Sequence, residues 1–141
     1  MNKIILDTNV IVSGILSKSY PHRILYELVA VQRVELLLSL IIFREYEDVF
    51  SRPKFSRILD FKKKADEVLQ HISRVGIMHI PDITLDVIAD KADNRFLELA
   101  IFAKADYIIT GNTQDFTFDQ YESVAIVQPA IYWQTVHQGN K

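Results

Sequence analysis

The chain has 141 residues, 49% of them hydrophobic and 24% charged, with a formal net charge of −2 and no cysteine. That length suits one domain, residues 1–141, around one core, and the composition excludes a disordered or low-complexity chain. Without thiols there is no disulfide, zinc–thiolate site or cysteine nucleophile, which fits a cytoplasmic protein; the near-neutral charge leaves any nucleic-acid binding to a local basic surface.

From the N-terminus, "MNKIILDTN" is too short an apolar stretch for a signal peptide, because it stops at Asp7. Residues 4–6 read as a first strand and are followed at once by Asp7, Thr8 and Asn9, with a helix beginning near Asn9. A helical spacing covers 22–31. The run "LLLSLIIF" is too short to cross a bilayer; it divides into a strand over 36–39 and a helix over 40–50. A helix over 61–75 precedes a strand over 77–80. A helix over 94–104 leads to a strand over 107–110, and a strand over 125–127 to a helix over 130–136. Pro21, Pro53, Pro81 and Pro129 all fall at the boundaries, where a missing amide proton is tolerated. Continuous apolar runs without alternation mark parallel strands covered on both faces. The expected fold is therefore α/β, a three-layer α/β/α sandwich with a mainly parallel sheet of about five strands.

Four acids stand out from the surface pattern. Asp7 follows the first strand and is either a helix cap or part of a site. Glu45 lies three residues after Ile42 and four before Val49, within the apolar face of its helix; it is either a site residue, or at the edge of that stripe or paired with a buried Arg. Asp93 shares a helical face with Phe96, Leu97 and Ala100; otherwise it is itself the N-cap, or a first-turn acid behind an Asp90 cap. Asp115 follows the strand "YIIT" and is either a turn residue or a site residue. In parallel sheets, ligands bind beyond the carboxyl ends of the strands where strand order reverses, and these four acids can converge there. Clustered carboxylates repel one another and raise each other's pKa. A hard divalent cation relieves that repulsion, and magnesium needs few carboxylates because it keeps several waters. Such an ion can activate water for phosphodiester displacement.

Three blocks, "ILDTNVIVSG", "FREYEDVFSRPKF" and "DKADNRFLELAIFAKADYIITGNTQDF", resemble the signature blocks of PIN-domain nucleases, most nearly the VapC-like toxin components of bacterial and archaeal toxin–antitoxin pairs. The resemblance runs through nearly the whole chain in the right order. It implies a metal-dependent endoribonuclease in which Asp7, Glu45, Asp93 and Asp115 bind Mg²⁺ or Mn²⁺. Many relatives carry an acid at the position of Asn94 or Asn112. Both are amides here, and Asn112 is expected as a neutral ligand. Thr8, Asn9 and Thr110 are expected to orient ligands or water.

RNA would be the substrate. Between positions 52 and 64 the bases Arg52, Lys54, Arg57, Lys62, Lys63 and Lys64 face the single acid Asp60. They form either a backbone-binding surface, with Phe55 and Phe61 stacking on bases, or a solvated flank with two core aromatics. An antitoxin protein and a homodimer or higher homo-oligomer are the expected partners, and no membrane. Residues around Ile24, Leu25 and Leu28 are either a pairing surface or core. His22, His71, His79 and His137 show no ligand spacing. A haloacid-dehalogenase site needs a second Asp two residues after Asp7, where Asn9 stands. A receiver domain needs acids ahead of its phosphoacceptor, and none precedes Asp7. The remaining alternative is a catalytically weak or inactive PIN fold that binds RNA or a partner.

Overall fold

The computed structural model describes residues 1–116 and 118–137, without the side chains of Asp115 and residues 135–137. Strand β1 (Lys3–Leu6) turns directly into α1 (Thr8–Leu16). Helix α2 (Tyr20–Arg23) continues into a π-helical turn, Ile24–Val29, and is followed by β2 (Glu35–Ser39) and α3 (Leu40–Phe50). After a 3₁₀ turn at Pro53–Phe55 come α4 (Phe61–Val75), β3 (Ile77–His79) and α5 (Lys91–Ala103). Then come β4 (Tyr107–Ile109), a 3₁₀ turn at Thr113–Phe116, β5 (Gln120–Tyr121) and β6 (Val124–Val127). Helix α6 (Pro129–Ile131) runs on into a second π-helical turn, Tyr132–His137.

The strands form one sheet in the order β3-β2-β1-β4-β6-β5. Every pairing is parallel except β5 with β6. This is the expected α/β architecture with one strand more. Its addition, β5, is two residues long and pairs Tyr121 with Val124 across a tight turn, so it has no apolar run to announce it. The central strands are buried as their composition demands: Ile4, Ile5, Leu6, Leu38, Ile108 and Ile109 are all at 0% exposure. Strand β3 departs from that rule. It lies at the sheet edge, and Ile77 and Met78 are 40% and 50% exposed; Ile80 lies beyond the strand.

The segment expected as a helix over 22–31 begins two residues earlier, with Pro21 in its first turn. Ile24, Leu25 and Leu28 are buried and belong to the core, not to a pairing surface. Helix α5 likewise starts three residues before its expected position, because Asp90 caps it. No helix among the described residues is long and apolar enough to cross a membrane.

This topology places one position apart from the others. Strand order runs outward from β1 through β2 on one side and from β4 through β6 on the other. The boundary between β1 and β4 is therefore where the order reverses, and sheets of this kind bind ligands beyond the carboxyl ends of the strands at such a point. The Asp7 amide donates to the Ile109 carbonyl at 3.0 Å, which carries the pairing to that end of the strands.

Candidate active site

Asp7 occupies the N-cap position of α1, yet its side chain makes no capping hydrogen bond. Its Oδ2 accepts instead from the Thr110 hydroxyl at 2.7 Å. Thr110 is fully buried just after β4, and its Oγ1 also accepts the Asn112 amide at 3.0 Å. The first acid is thus tied across the reversal point to the loop after β4. Its carboxylate is turned away from capping.

Glu45 comes to the same place on α3. Ser39 caps that helix by accepting the Ile42 amide at 3.2 Å. Ile42, Tyr46 and Val49 face the core, and Glu45 is half-buried between them, as its spacing required. Its Oε2 accepts from the buried Thr8 hydroxyl at 2.6 Å. Burial holds the Glu45 carboxyl above the ordinary carboxylate range. The Thr8 hydrogen bond opposes that rise, nearby Asp7 and Asp90 add to it, and Arg52 opposes it. Next in sequence, Tyr46 is completely buried, and its hydroxyl donates to the Leu6 carbonyl at 2.6 Å. Burial, with Asp7 and Glu45 close by, pushes its pKa well up.

The third acid sits at the start of α5. Asp90 is the cap, with Oδ1 accepting the Ala92 amide at 2.8 Å, and Asp93 lies half-buried in the first turn behind it. Asn94 does something its sequence position does not suggest. Buried at 1% exposure, its Oδ1 accepts the Val87 and Ile88 amides, and its Nδ2 donates to the Ile88 and Asp90 carbonyls. It closes a loop rather than standing in for a ligand. Glu98, also buried, accepts the Leu85 amide at 2.7 Å and pairs with Arg95 at 3.4 Å, fastening the same loop one turn further on.

Asp7 and Glu45 are therefore brought together, with Asp90 near enough to act on Glu45. The side chain of Asp115 lies outside the described residues. Among the described residues, no group of three or more Asp, Glu or His side chains is close enough to share a metal ion. Asn9 and Asn112 are exposed. Even so, the donor chemistry suits a hard cation. The donors are oxygen throughout, and Mg²⁺ takes one or two carboxylates and completes its shell with water. A cation there would also offset the repulsion that Asp7 and Asp90 add to the burial of the Glu45 carboxyl.

A family model described as a PIN domain matches residues 3–114. The chain belongs to the PIN-domain family. PIN domains are in general nucleases and use divalent metals. An uncharacterised protein of Methanocaldococcus jannaschii, MJ1680, is 29% identical over 111 residues, spanning 78% of this chain and 70% of that protein. The crystal structure of FitAcB from Neisseria gonorrhoeae is similar in fold, with a TM-score of 0.52 at 20% identity over 93% of this chain and 99% of the other.

In this PIN domain the basic segment is only partly what its sequence suggests. Arg52, Lys54, Arg57, Lys62, Lys63 and Lys64 are all exposed. Phe55 and Phe61 are core residues, 7% and 2% exposed, and stack on each other with ring centres 4.4 Å apart and planes within 11°. They have no face to offer a base. A groove of about 620 Å³ beside them is lined by Glu47, Asp48 and Asp66 as well as Arg52 and Lys62. Asp48 lies 3.8 Å from Arg52, and Asp66 3.3 Å from Lys62. Both acids lie four residues from their bases, just outside the 52–64 stretch, so Asp60 is not the one acid that these bases meet. Tyr46 and the Asn94 clamp lay beyond the sequence reading. A tyrosine on an apolar helical face was their one advance signal, since a buried hydroxyl needs a partner.

Proposed function

We propose that this PIN domain is a metal-dependent endoribonuclease, with Mg²⁺ or Mn²⁺ as cofactor, and the VapC-like toxin of a cytoplasmic toxin–antitoxin pair. The observation that supports this best is the pair Asp7 and Glu45. Two acids from separate elements meet at the strand-order reversal, and each accepts a hydrogen bond from a threonine hydroxyl.

In this reading Asp7, Glu45, Asp93 and Asp115 hold the cation, with Asn112 as a neutral ligand. Thr8 and Thr110 aim the carboxylates of Glu45 and Asp7, and Asn9 orients water from the exposed side of α1. A bound divalent ion supplies an activated water and stabilises the charge that develops on the phosphate. Arg52, Lys54, Arg57, Lys62, Lys63 and Lys64 contact the RNA backbone. They contribute affinity without sequence preference. The partners are an antitoxin protein and further copies of the chain in a homodimer or higher homo-oligomer.

Asn112 favours a second reading, a PIN fold that binds RNA or a partner with little or no cleavage. An amide replaces a charge there, which weakens the case for a second cation. The two readings part on Mn²⁺-dependent cleavage of single-stranded RNA. Cleavage that is lost in Asp7→Asn supports the nuclease; RNA binding without cleavage in the unmodified protein supports the binding module.

A further inference from the structure

We infer that Tyr46 is a positioning residue whose buried hydroxyl, donated to the Leu6 carbonyl, sets the separation of Asp7 and Glu45 and with it the cation selectivity of the pair. This rests on the nuclease reading above, and it assigns a role to a residue that touches neither cation nor RNA.

The argument begins with adjacency. Leu6 immediately precedes Asp7, and Tyr46 immediately follows Glu45. One hydrogen bond of 2.6 Å therefore joins the backbone that carries the first acid to the helix that carries the second. Both ends are at 0% exposure, so water does not compete for either. The apolar neighbours of Tyr46 on α3, Ile42 and Val49, hold the helix down, but hydrophobic attraction has no direction and makes no specific link to the Leu6 backbone.

A second link, Thr8 to Glu45, is of the same length, and the difference between the two is instructive. The Thr8 hydroxyl binds a carboxylate oxygen, which is an atom a cation would also bind. The Tyr46 hydroxyl binds a backbone carbonyl and leaves both carboxylates out of the link. Of the two, the Tyr46 bond is the one that a cation on the carboxylates leaves intact. The hydroxyl is also not needed to fill space, since phenylalanine has the same ring.

Mg²⁺ demands near-ideal octahedral geometry, while Ca²⁺ tolerates irregular shells. Loosening the Asp7–Glu45 separation should therefore weaken Mg²⁺ more than Ca²⁺. The experiment titrates the full chain with each metal alone by calorimetry in the cold, after checking that each variant melts cooperatively. Tyr46→Phe is expected to lose about tenfold in Mg²⁺ affinity, the scale on which residues that orient ligands act, with Ca²⁺ affinity little changed. Under Mg²⁺ its kcat for RNA cleavage should fall while KM stays. Tyr132→Phe is the control. That tyrosine is also buried, and its hydroxyl accepts from Asn2 in a bond that involves no acid of the site.

If Tyr46→Phe melts lower but binds Mg²⁺ as the unmodified chain does, the residue is a stability element and the inference is overturned. Equal Mg²⁺ losses in Tyr46→Phe and Tyr132→Phe would overturn it too, as general loosening. Asp7→Asn separates the underlying reading. Unchanged Mg²⁺ binding in that variant sinks the nuclease site itself, and the role of Tyr46 with it.

Discussion

At the scale of a residue, Glu45 carries a cost that the fold retains. Its carboxyl holds a proton more tightly in the folded chain than in the unfolded one, through burial first and then through Asp7 and Asp90. Between the ordinary carboxylate range and that raised value the folded state binds more protons, so stability falls as pH rises through the window. Glu45→Gln should remove this slope. Urea denaturation from about pH 4 to about pH 7 is expected to show the metal-free protein losing stability and the variant losing less. The same repulsion predicts that Asp7→Asn, without metal, is as stable as the unmodified chain or more so, although the bond it accepts from Thr110 is no longer charge-assisted. A clear fall in its melting temperature would show that Asp7 serves the fold instead. The four acids differ in how far sequence could place them. Glu45 was legible because α3 has a strict apolar face. Asp7 was ambiguous because a cap and a site residue occupy the same position, and the partner that its side chain takes in place of a capping bond is Thr110, 103 residues away.

At the scale of an element, the start of α5 shows why a motif and its chemistry can be misread together. An amide at position 94 looks like a weakened ligand when read along the chain. In three dimensions its two donors and two acceptances close the loop between residues 87 and 90. A carboxylate has no proton to give the Ile88 and Asp90 carbonyls, so Asn94→Asp should destabilise rather than add a ligand. Asn94→Ala is expected to cost about 2–4 kcal/mol, from buried partners left unsatisfied. Faster hydrogen exchange at the Val87 and Ile88 amides would locate the damage in the loop. Between α3 and α4, the rings of Phe55 and Phe61 are buried, while the bases of the segment are exposed. The double variant Arg57→Ala, Lys63→Ala should then raise KM for every RNA tested and flatten its salt dependence. An unchanged KM at low and moderate salt would remove these bases from the interface.

At the scale of the molecule, the acids are supplied by elements far apart in sequence and held only by the completed sheet. A cation that binds this arrangement binds the folded state alone, so it must raise the melting temperature by mass action. Mg²⁺ should raise that of the unmodified chain more than that of Asp7→Asn. Equal shifts in both would mean that the metal acts elsewhere.

The α/β class, the parallel sheet and the helix over 40–50 could be read from the chain because they depend on local periodicity, which covering helices impose on every central strand. The PIN resemblance was legible for a related reason, since its blocks are contiguous. What no window of sequence contains is the exchange of hydrogen bonds between distant elements. The Thr8–Glu45, Thr110–Asp7 and Tyr46–Leu6 bonds span 37, 103 and 40 residues. They exist because burial removes water as the competing partner and leaves each polar group to the nearest one the sheet brings to it. Residue types were set by the chain; their pairing was decided by the tertiary structure.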